Sequence, residues 1–318
     1  MRNLLTPVLA LLTLAGCNRA ELLDALTPST GYRLESGIDY GPHPRQRLDL
    51  YRPEVERADG ALLVFFYGGS WQAGERRLYR FVGQRLAERG FTVAVADYRL
   101  FPEVFWRDVL EDGAAAVARS RALVDPAKER PLVLAGHSAG AWIAAMLALD
   151  PCRLPDRPHA WLGLAGPYDF LPLRSPALIR GFGPGEPGPE SQPVSYVDGR
   201  EPPALLVHGT GDLTVLPRNS RRLAAMLAAV GTPVELLELE GGDHVLPLLG
   251  LSHRFGFLAP VLERFEAFLD HHLREERPVA AACLRDLSGA RPEAGPVGTS
   301  PRDRRFEGAR VEPVRLSP

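Results

Sequence analysis

A serine between two glycines is the feature of this sequence that most directly indicates chemistry. Residues 136–140 read Gly-His-Ser-Ala-Gly. An apolar run typical of a short buried strand (131–135) comes directly before them, and a run typical of a helix (139–147) follows. A chain with 31 glycines could contain this pattern by chance. The flanking strand and helix favour the other interpretation, because such a turn presents the hydroxyl beside the free N–H groups of the helix N-terminus. We therefore predict that Ser138 is a nucleophile.

A serine hydroxyl at neutral pH is a weak nucleophile and needs a histidine to accept its proton. His244 comes shortly after a predicted strand at 234–239, and open α/β sheets place reactive groups in loops at the carboxyl ends of strands. His253 is the nearest alternative, while His137 and His208 are interpreted as packing or turn residues. We predict His244 as the general base.

The third catalytic group must be a carboxylate that holds the histidine in the required tautomer. Asp212 follows the predicted strand at 204–207, whereas Asp243 is adjacent to the base in sequence and Asp169 follows the preceding strand. Neighbouring side chains in a loop rarely face each other, so Asp212 is favoured. The resulting chain order of serine, aspartate and histidine is the order found in α/β-hydrolases.

A glycine-rich loop supplies candidate donors for a developing oxyanion. Residues 67–71 read Tyr-Gly-Gly-Ser-Trp and follow a continuous apolar run at 61–66. Glycines let such a loop fold tightly, so that its backbone N–H groups can face a scissile carbonyl. The alternative is a simple glycine turn. With the serine motif downstream, we predict an oxyanion hole made by the N–H groups of Gly69, Ser70 and Ala139.

Alternating strands and helices must position these groups. Apolar runs predict strands, the first of them antiparallel, and amphipathic stretches predict helices between them. The predicted strands are 47–51, 61–66, 91–96, 131–135, 160–165, 204–207 and 234–239, and the predicted helices are 78–88, 104–122, 139–147, 216–230 and 255–273. This order favours an α/β fold with a mostly parallel central sheet and helices on both faces.

Residues 48–273 resemble the α/β-hydrolase esterases of the hormone-sensitive-lipase and feruloyl-esterase-like group, which includes kynurenine formamidase. That group carries a His-Gly-Gly-x-Trp oxyanion motif, which stands here as residues 67–71 with Tyr67 in the histidine position. It also carries the Asp-Tyr-Arg-Leu stretch found here at 97–100. The resemblance implies an α/β-hydrolase fold without a large cap domain, carboxylesterase activity and no cofactor. Residues 170–200 form the candidate lid.

The N-terminus predicts export. A short apolar run at 4–14 precedes Leu-Ala-Gly-Cys at 14–17, which resembles the lipobox of bacterial lipoproteins. We expect a signal peptide at 1–16 and a lipid on Cys17 that anchors the protein to a bacterial membrane on the periplasmic or cell-surface face. An ordinary secretory signal, in which Cys17 is incidental, is the alternative.

The organisation expected after the signal peptide has three parts. Residues 17–36 are interpreted as a tether, 37–276 as the catalytic domain, and 277–318 as a disordered tail poor in large apolar residues. Cys152 and Cys283 could pair in an oxidising compartment. Because Cys283 lies in the expected disordered tail, no bridge is expected.

Composition excludes some classes of partner. With 37 basic and 39 acidic residues, the net charge is −2 and gives no indication of nucleic-acid binding. The chain contains no spaced Cys/His cluster, so we predict no metal.

We expect a small-molecule ester as substrate, with Trp71 and Phe170 either lining its pocket or packing in the core. The alternatives are an amidase of the kynurenine formamidase type, which the export signal disfavours, and a non-catalytic binding protein, which a missing catalytic residue would indicate.

Overall fold

A computed structural model describes Leu23 and the ranges 26–183 and 187–273 of the chain. Eight strands form one sheet: β1 (Tyr32–Asp39), β2 (Arg47–Pro53), β3 (Leu62–Phe66), β4 (Thr92–Ala96), β5 (Leu132–His137), β6 (Ala160–Leu164), β7 (Ala204–Gly209) and β8 (Val234–Leu239). Their spatial order is β1-β2-β4-β3-β5-β6-β7-β8. The pairings of β2 with β1 and β4 are antiparallel, and the remaining pairings are parallel.

The parallel strands form the core of the domain. Every residue of β3, β4, β5 and β6 is buried, which explains their uninterrupted apolar sequences, since helices cover both faces of a parallel sheet. The helices are α1 (Arg80–Glu88), α2 (Trp106–Val124), α3 (Ala139–Leu149), α4 (Pro176–Gly181), α5 (Arg218–Ala229), α6 (Leu246–Leu249) and α7 (Val261–His272). The predicted α/β-hydrolase fold class is confirmed.

Two boundaries differ from those expected. Strand β1 begins at Tyr32, within the stretch 17–36 that was assigned to a tether, and Tyr32 packs its ring 5.4 Å from that of Tyr51. The closing helix α7 begins at Val261 and not at residue 255. Pro260 precedes it and restricts the backbone there, so the helix cannot extend smoothly toward its N-terminus.

Cys152 lies in the turn after α3 and is disulfide-bonded. The expectation of no bridge concerned the pairing of Cys152 with Cys283, and it stays a prediction because Cys283 lies outside the described residues. The partner cysteine, the predicted signal peptide, Cys17 and the predicted tail all lie outside the described residues.

The described ranges contain neither a membrane-spanning helix nor a metal-binding cluster. None of the helices described is both long and apolar enough to cross a membrane. Within these same ranges, no cluster of three or more histidine, cysteine or acidic side chains could hold a metal ion.

Candidate active site

Ser138 occupies a strained turn between β5 and α3. Its φ of 54° and ψ of −122° are unusual for a residue with a side chain. The flanking glycines are required by space: a Cβ on Gly136 would lie 2.2 Å from the carbonyl oxygen of Gly140, and one on Gly140 would lie 2.0 Å from that of Phe66. The turn therefore allows only glycine at these two positions.

The structure brings the three predicted catalytic side chains together. The Ser138 Oγ lies 2.9 Å from Nε2 of His244, and Nδ1 of His244 lies 2.7 Å from Oδ2 of Asp212. Asp212 accepts only, so Nδ1 of His244 carries the proton and donates it to the carboxylate. Nε2 is then free to accept the hydroxyl proton of Ser138.

Asp212 is fully buried and held by several donors. Its Oδ1 accepts hydrogen bonds from the backbone N–H groups of Thr214 (2.8 Å) and Val215 (3.0 Å). Burial alone raises the pKa of Asp212, but hydrogen bonds from His208 and His244 outweigh burial and hold the pKa well below its ordinary value. Asp212 is therefore a carboxylate throughout the neutral range.

The loop 67–71 lies against the nucleophile. A Cβ on Gly68 would come within 2.9 Å of the Ser138 Cβ. Gly69 has a φ of 138°, and Ser70 and Trp71 have φ values of 53° and 60°, so the loop contains three consecutive residues in unusual backbone conformations. Within the described residues, the N–H groups of Gly69, Ser70 and Ala139 have no protein acceptor.

Tyr67 anchors this loop through buried hydrogen bonds, which we call the Tyr67 brace. Its side chain is completely buried, and its phenol donates to Oδ1 of Asp97 (2.8 Å) while accepting from the Arg45 guanidinium (2.8 Å). The Tyr98 hydroxyl donates to the Tyr67 carbonyl at 2.9 Å. Burial, together with the nearby Tyr98 and Asp97, raises the pKa of Tyr67 well above its ordinary value, so the phenol stays protonated and available as a donor.

Charged residues from separate elements complete the brace. Arg76 binds Oδ1 of Asp49 at 2.8 Å and Oδ2 of Asp97 at 2.5 Å. Two residues after Asp97, Arg99 pairs with Asp112 of α2 at 2.7 Å. The Asp-Tyr-Arg stretch at 97–99 is therefore structural in this protein: Asp97 and Tyr98 hold Tyr67 of the loop that carries the candidate oxyanion donors, and Arg99 ties the stretch to α2.

Two further histidines touch the site, although the sequence indicated only packing or turn roles for them. The ring of His137 lies 4.9 Å from that of His244, and its Nε2 donates to the His244 carbonyl at 2.9 Å. Burial and the neighbouring His244 lower the pKa of His137 to about 3, so His137 remains neutral. His208 also contacts Asp212, with its Nε2 3.2 Å from Oδ2, the same oxygen that binds His244.

Aromatic rings fill the space beside the loop 67–71. Trp71 meets Trp142 edge-on at 5.3 Å and Phe182 at 4.9 Å, and it stacks on Phe170 at 6.2 Å. Trp71, Trp142 and Phe182 are buried, whereas Phe170 is half-buried. Trp71 and Phe170 therefore belong to a packed cluster at the edge of the site, and Phe170 contributes the part of it that reaches solvent.

The alternative acid and base residues are engaged elsewhere. Oδ1 of Asp243 accepts the backbone N–H groups of Val245 and Leu246, and Asp169 pairs with Arg222 at 2.9 Å. His253 lies 3.7 Å from Glu88. These contacts leave Asp212 and His244 as the pair that lines up with Ser138.

The fold and the site together define an α/β-hydrolase with the geometry of a serine hydrolase. A family model for the prolyl oligopeptidase family matches residues 107–276, which is more than half of the 318 residues. A second family model, BD-FAE, matches residues 48–153. The chain belongs to the prolyl oligopeptidase family.

Curated relatives of the chain are named as esterases. A probable isoprenylcysteine alpha-carbonyl methylesterase, ICMEL1 of Arabidopsis thaliana, is 30% identical over 239 residues, covering 65% of this chain and 50% of that protein. Esterase LipC of Mycobacterium tuberculosis is 29% identical over 238 residues, covering 66% of this chain and 59% of that protein. The chain spans about half the length of the curated relatives it matches.

Solved structures agree with the fold. Esterase B from Lactobacillus rhamnosis superposes with a TM-score of 0.69 at 20% identity, covering 81% of this chain and 93% of that one. A thermophilic esterase from Thermogutta terrifontis gives a TM-score of 0.60 at 26% identity, covering 77% and 96% of the two chains. The part of the sequence-based resemblance that names an α/β-hydrolase of the esterase kind is supported by both comparisons.

Proposed function

We propose that this protein is a serine carboxylic-ester hydrolase that works through an acyl-enzyme intermediate. The observation that carries the proposal is the unbroken hydrogen-bonded chain from Ser138 Oγ to His244 (2.9 Å) and from His244 to Asp212 (2.7 Å). These distances suit proton transfer in the ground state. The esterase names of the relatives support an ester as the substrate.

In the acylation half-reaction, Ser138 Oγ forms a bond to the ester carbonyl carbon while its proton passes to Nε2 of His244. Asp212 stabilises the resulting imidazolium and keeps it oriented. When the tetrahedral intermediate collapses, the bond from the carbon to the alcohol oxygen breaks, and His244 gives its proton to the departing alkoxide. The products of this step are an alcohol and a Ser138 ester.

The N–H groups of Gly69, Ser70 and Ala139 receive the negative charge on the carbonyl oxygen. Because these donors have no protein acceptor in the described chain and the Tyr67 brace fixes their loop, little reorganisation is needed when the charge develops. In deacylation, a water molecule gives its proton to His244 and attacks the same carbon. Collapse of the second intermediate returns the proton to Ser138 Oγ and releases the carboxylic acid.

A substrate screen tests this proposal. Wild-type protein is assayed on p-nitrophenyl esters from acetate to palmitate and on N-formylkynurenine, in parallel with Ser138→Ala and with Ser195→Ala, an exposed serine outside the site. We expect ester turnover by wild type and Ser195→Ala, and a loss of several orders of magnitude in Ser138→Ala. Hydrolysis of the formamide in preference to every ester would favour the amidase alternative. Near-normal ester turnover by a folded Ser138→Ala protein would rule the mechanism out.

We also propose that Cys17 carries a lipid that anchors the mature protein to a bacterial membrane. The support is the apolar run at 4–14 followed by the lipobox-like residues 14–17. Fractionation of cells that produce wild type and Cys17→Ser should show the variant leaving the membrane fraction. A wild-type N-terminus without acyl groups on Cys17, measured by mass spectrometry, would contradict this assignment.

A further inference from the structure

A cleft of about 350 Å³ opens beside the aromatic cluster, lined by residues 170–175 together with Leu178 and Arg218. Two of the lining side chains, Arg174 and Arg218, are exposed guanidinium groups. Within the described ranges, neither has a carboxylate partner, and no acidic residue lines the cleft. Within the described residues, the cleft therefore presents positive charge that no carboxylate neutralises.

Asp169, the carboxylate next to the cleft in sequence, does not neutralise the positive charge of the cleft. Asp169 precedes the lining residues in sequence, but it pairs with the Arg222 guanidinium at 2.9 Å. Its backbone N–H is held by Oδ1 of Asn219, the residue after Arg218. Asp169 is thus committed to a neighbouring cation, while Arg174 and Arg218 remain available to an anion from solution.

The position of the cleft links it to the candidate active site. Phe170 lines the cleft and stacks on Trp71, which ends the oxyanion loop. Arg218 begins α5 directly after the loop that carries Asp212. One wall of the cleft therefore contacts the last residue of the oxyanion loop, and the other follows the loop of Asp212 in sequence.

We propose that Arg174 and Arg218 bind an anionic group of the substrate, so that the preferred substrates are esters that also carry a carboxylate. This proposal rests on the proposed esterase function and adds a specificity site to it. Two guanidinium groups can each donate paired N–H groups to a carboxylate. Both groups are solvent-exposed, so we expect a moderate preference that weakens as salt is added.

The test compares matched esters that differ in charge. One pair, 4-acetoxybenzoate and 4-acetoxybenzamide, places the carboxylate on the alcohol side. The other, monomethyl adipate and methyl hexanoate, places it on the acyl side. For wild type we expect kcat/KM to favour the anionic member of one pair by about threefold to tenfold at low salt. The Arg174→Gln/Arg218→Gln double variant should lose that preference, and Arg180→Gln, which lies on the same segment outside the cleft, should keep it.

The outcomes separate this proposal from the one on which it rests. Absence of turnover on all four esters would contradict the esterase function itself. Turnover of neutral esters with no anion preference in either pair would overturn the charged cleft alone. An anion preference that survives in the double variant would also overturn it, because the charge would then be recognised elsewhere.

A second inference comes from the buried side of the triad. His208 is completely buried, and its Nε2 lies 2.8 Å from the Val215 carbonyl and 3.2 Å from Oδ2 of Asp212. Both of these atoms are acceptors, so Nε2 must carry a proton. Its Nδ1 lies 2.7 Å from the Ser220 Oγ, and the Ser220 hydroxyl therefore donates to Nδ1.

This arrangement sets the tautomer of His208. The other neutral tautomer would place the Nε2 lone pair against two oxygen acceptors, whereas the Ser220 hydroxyl can pair with Nδ1 in either tautomer. Asp212 consequently receives an N–H donor from His208 on the same oxygen that binds His244. A donor on this oxygen withdraws electron density from it, so the carboxylate holds the His244 proton less tightly than it would without His208.

We infer that His208, fixed by Ser220, is a positioning residue for Asp212 and tunes the basicity of the Asp212–His244 pair. Loss of the donor should lower kcat and leave KM nearly unchanged, because no substrate contact is removed. It should also move the acidic limb of the kcat/KM profile to higher pH, because an Asp212 carboxylate without this donor binds the N–H of His244 more strongly. A residue needed only for packing would not produce that shift.

The test uses His208→Phe, which keeps an aromatic ring without a donor, and His208→Gln, which restores an N–H group near the same position. We expect kcat of His208→Phe to fall by about tenfold to a hundredfold with the pH shift described, and His208→Gln to recover part of both. Melting curves check that each variant is folded. If His208→Phe does not fold, Ser220→Ala replaces it and should show a smaller change in the same direction.

Two results would overturn this assignment. One is a folded His208→Phe protein with kcat within twofold of wild type and an unshifted profile. The other is equal loss in His208→Phe and His208→Gln with no movement of the acidic limb, which would indicate packing alone.

Discussion

The oxyanion loop, residues 67–71, and the 170–183 segment border the same site but are held in place differently. Buried hydrogen bonds to Tyr67 and strained backbone at residues 69–71 fix the loop. The segment relies on ring contacts of Phe170 and Phe182 with Trp71. Hydrogen bonds are directional and ring packing is far less so. The difference suggests that the loop sets the geometry of catalysis, whereas the segment can vary with substrate.

The largest contrast is expected between the catalytic acid, Asp212, and a carboxylate next to the 170–183 segment, Asp169. Asp212→Asn should lower kcat by about 10⁴-fold with a small change in KM, because the amide forces His244 into the wrong tautomer. Asp169→Asn, next to the 170–183 segment, should change kcat by less than about threefold. Steady-state kinetics on one p-nitrophenyl ester measures both, and Asp243→Asn serves as the control within the base loop. A crippled Asp243→Asn with an active Asp212→Asn would mean that the acid is misassigned.

A glycine of the serine turn, Gly140, and a glycine of the 170–183 segment, Gly181, should differ next. In Gly140→Ala, the new Cβ would lie 2.0 Å from the Phe66 carbonyl oxygen, so we expect a loss of about 3 kcal/mol in the free energy of unfolding, together with the activity. In Gly181→Ala, the nearest atom is 3.7 Å away in the Phe101 ring, and the change should be nearly neutral. Urea denaturation measures both variants. Equal destabilisation would show that the segment is as tightly constrained as the serine turn.

Acid should lower the free energy of unfolding, because His137 is buried beside His244 in its neutral form. Its folded-state pKa is lowered to about 3, below the ordinary value of about 6.5 in an unfolded chain. The stabilising effect of the neutral ring is therefore complete above pH 6.5 and is lost as pH falls from there toward 3. By pH 5 the loss should reach about 2 kcal/mol.

His137→Gln tests this dependence, because it removes the titrating group. Unfolding free energies at pH 7.5 and pH 5 should differ less in His137→Gln than in wild type. His253→Gln, at an exposed histidine, should retain the wild-type difference. A His137→Gln protein that loses as much stability in acid as wild type would place the acid sensitivity elsewhere.

The smallest expected difference in stability is between phenylalanine substitutions at two tyrosines, Tyr67 and Tyr196. Tyr67→Phe removes the hydroxyl that joins Asp97 to Arg45 and should cost about 1.5 kcal/mol in stability. It should also lower kcat, because the oxyanion loop loses its brace. Tyr196→Phe removes a more exposed hydrogen bond to the Glu190 carbonyl and should change stability by less than about 0.5 kcal/mol. Thermal melts with ester kinetics distinguish the two, and identical effects would mean that the Tyr67 brace contributes no more than a peripheral hydrogen bond.

The sequence indicated Ser138, Asp212 and His244 because each follows an apolar strand of a parallel sheet, where reactive loops converge. The brace under Tyr67 could not be predicted in the same way. Arg45 and Asp49 come from one stretch of chain, and Arg76 and Asp97 come from two others, so nothing in their spacing indicates that they form one network. The role of His208 was missed for the same reason, since Ser220 lies on the following helix.

Two elements show where periodicity fails. Strand β1, Tyr-Arg-Leu-Glu-Ser-Gly-Ile-Asp, is an edge strand with largely exposed side chains, so it lacks the apolar run that revealed the central strands. Helix α4 is only six residues long (Pro176–Gly181), too short to show an amphipathic repeat. Central strands are predictable because they are buried on both faces, and this condition does not hold at the margins of the fold.

The central claim is that Ser138 becomes covalently acylated, and the most direct measurement is the mass of the trapped intermediate. Protein treated with an alkyl p-nitrophenyl phosphonate, which stops at the first covalent adduct, is analysed intact and by peptide mapping. The account predicts one phosphonyl group per chain on the peptide that contains Ser138, and none in Ser138→Ala. Stoichiometric labelling of Ser138→Ala, or labelling of wild type at a different residue, would contradict it.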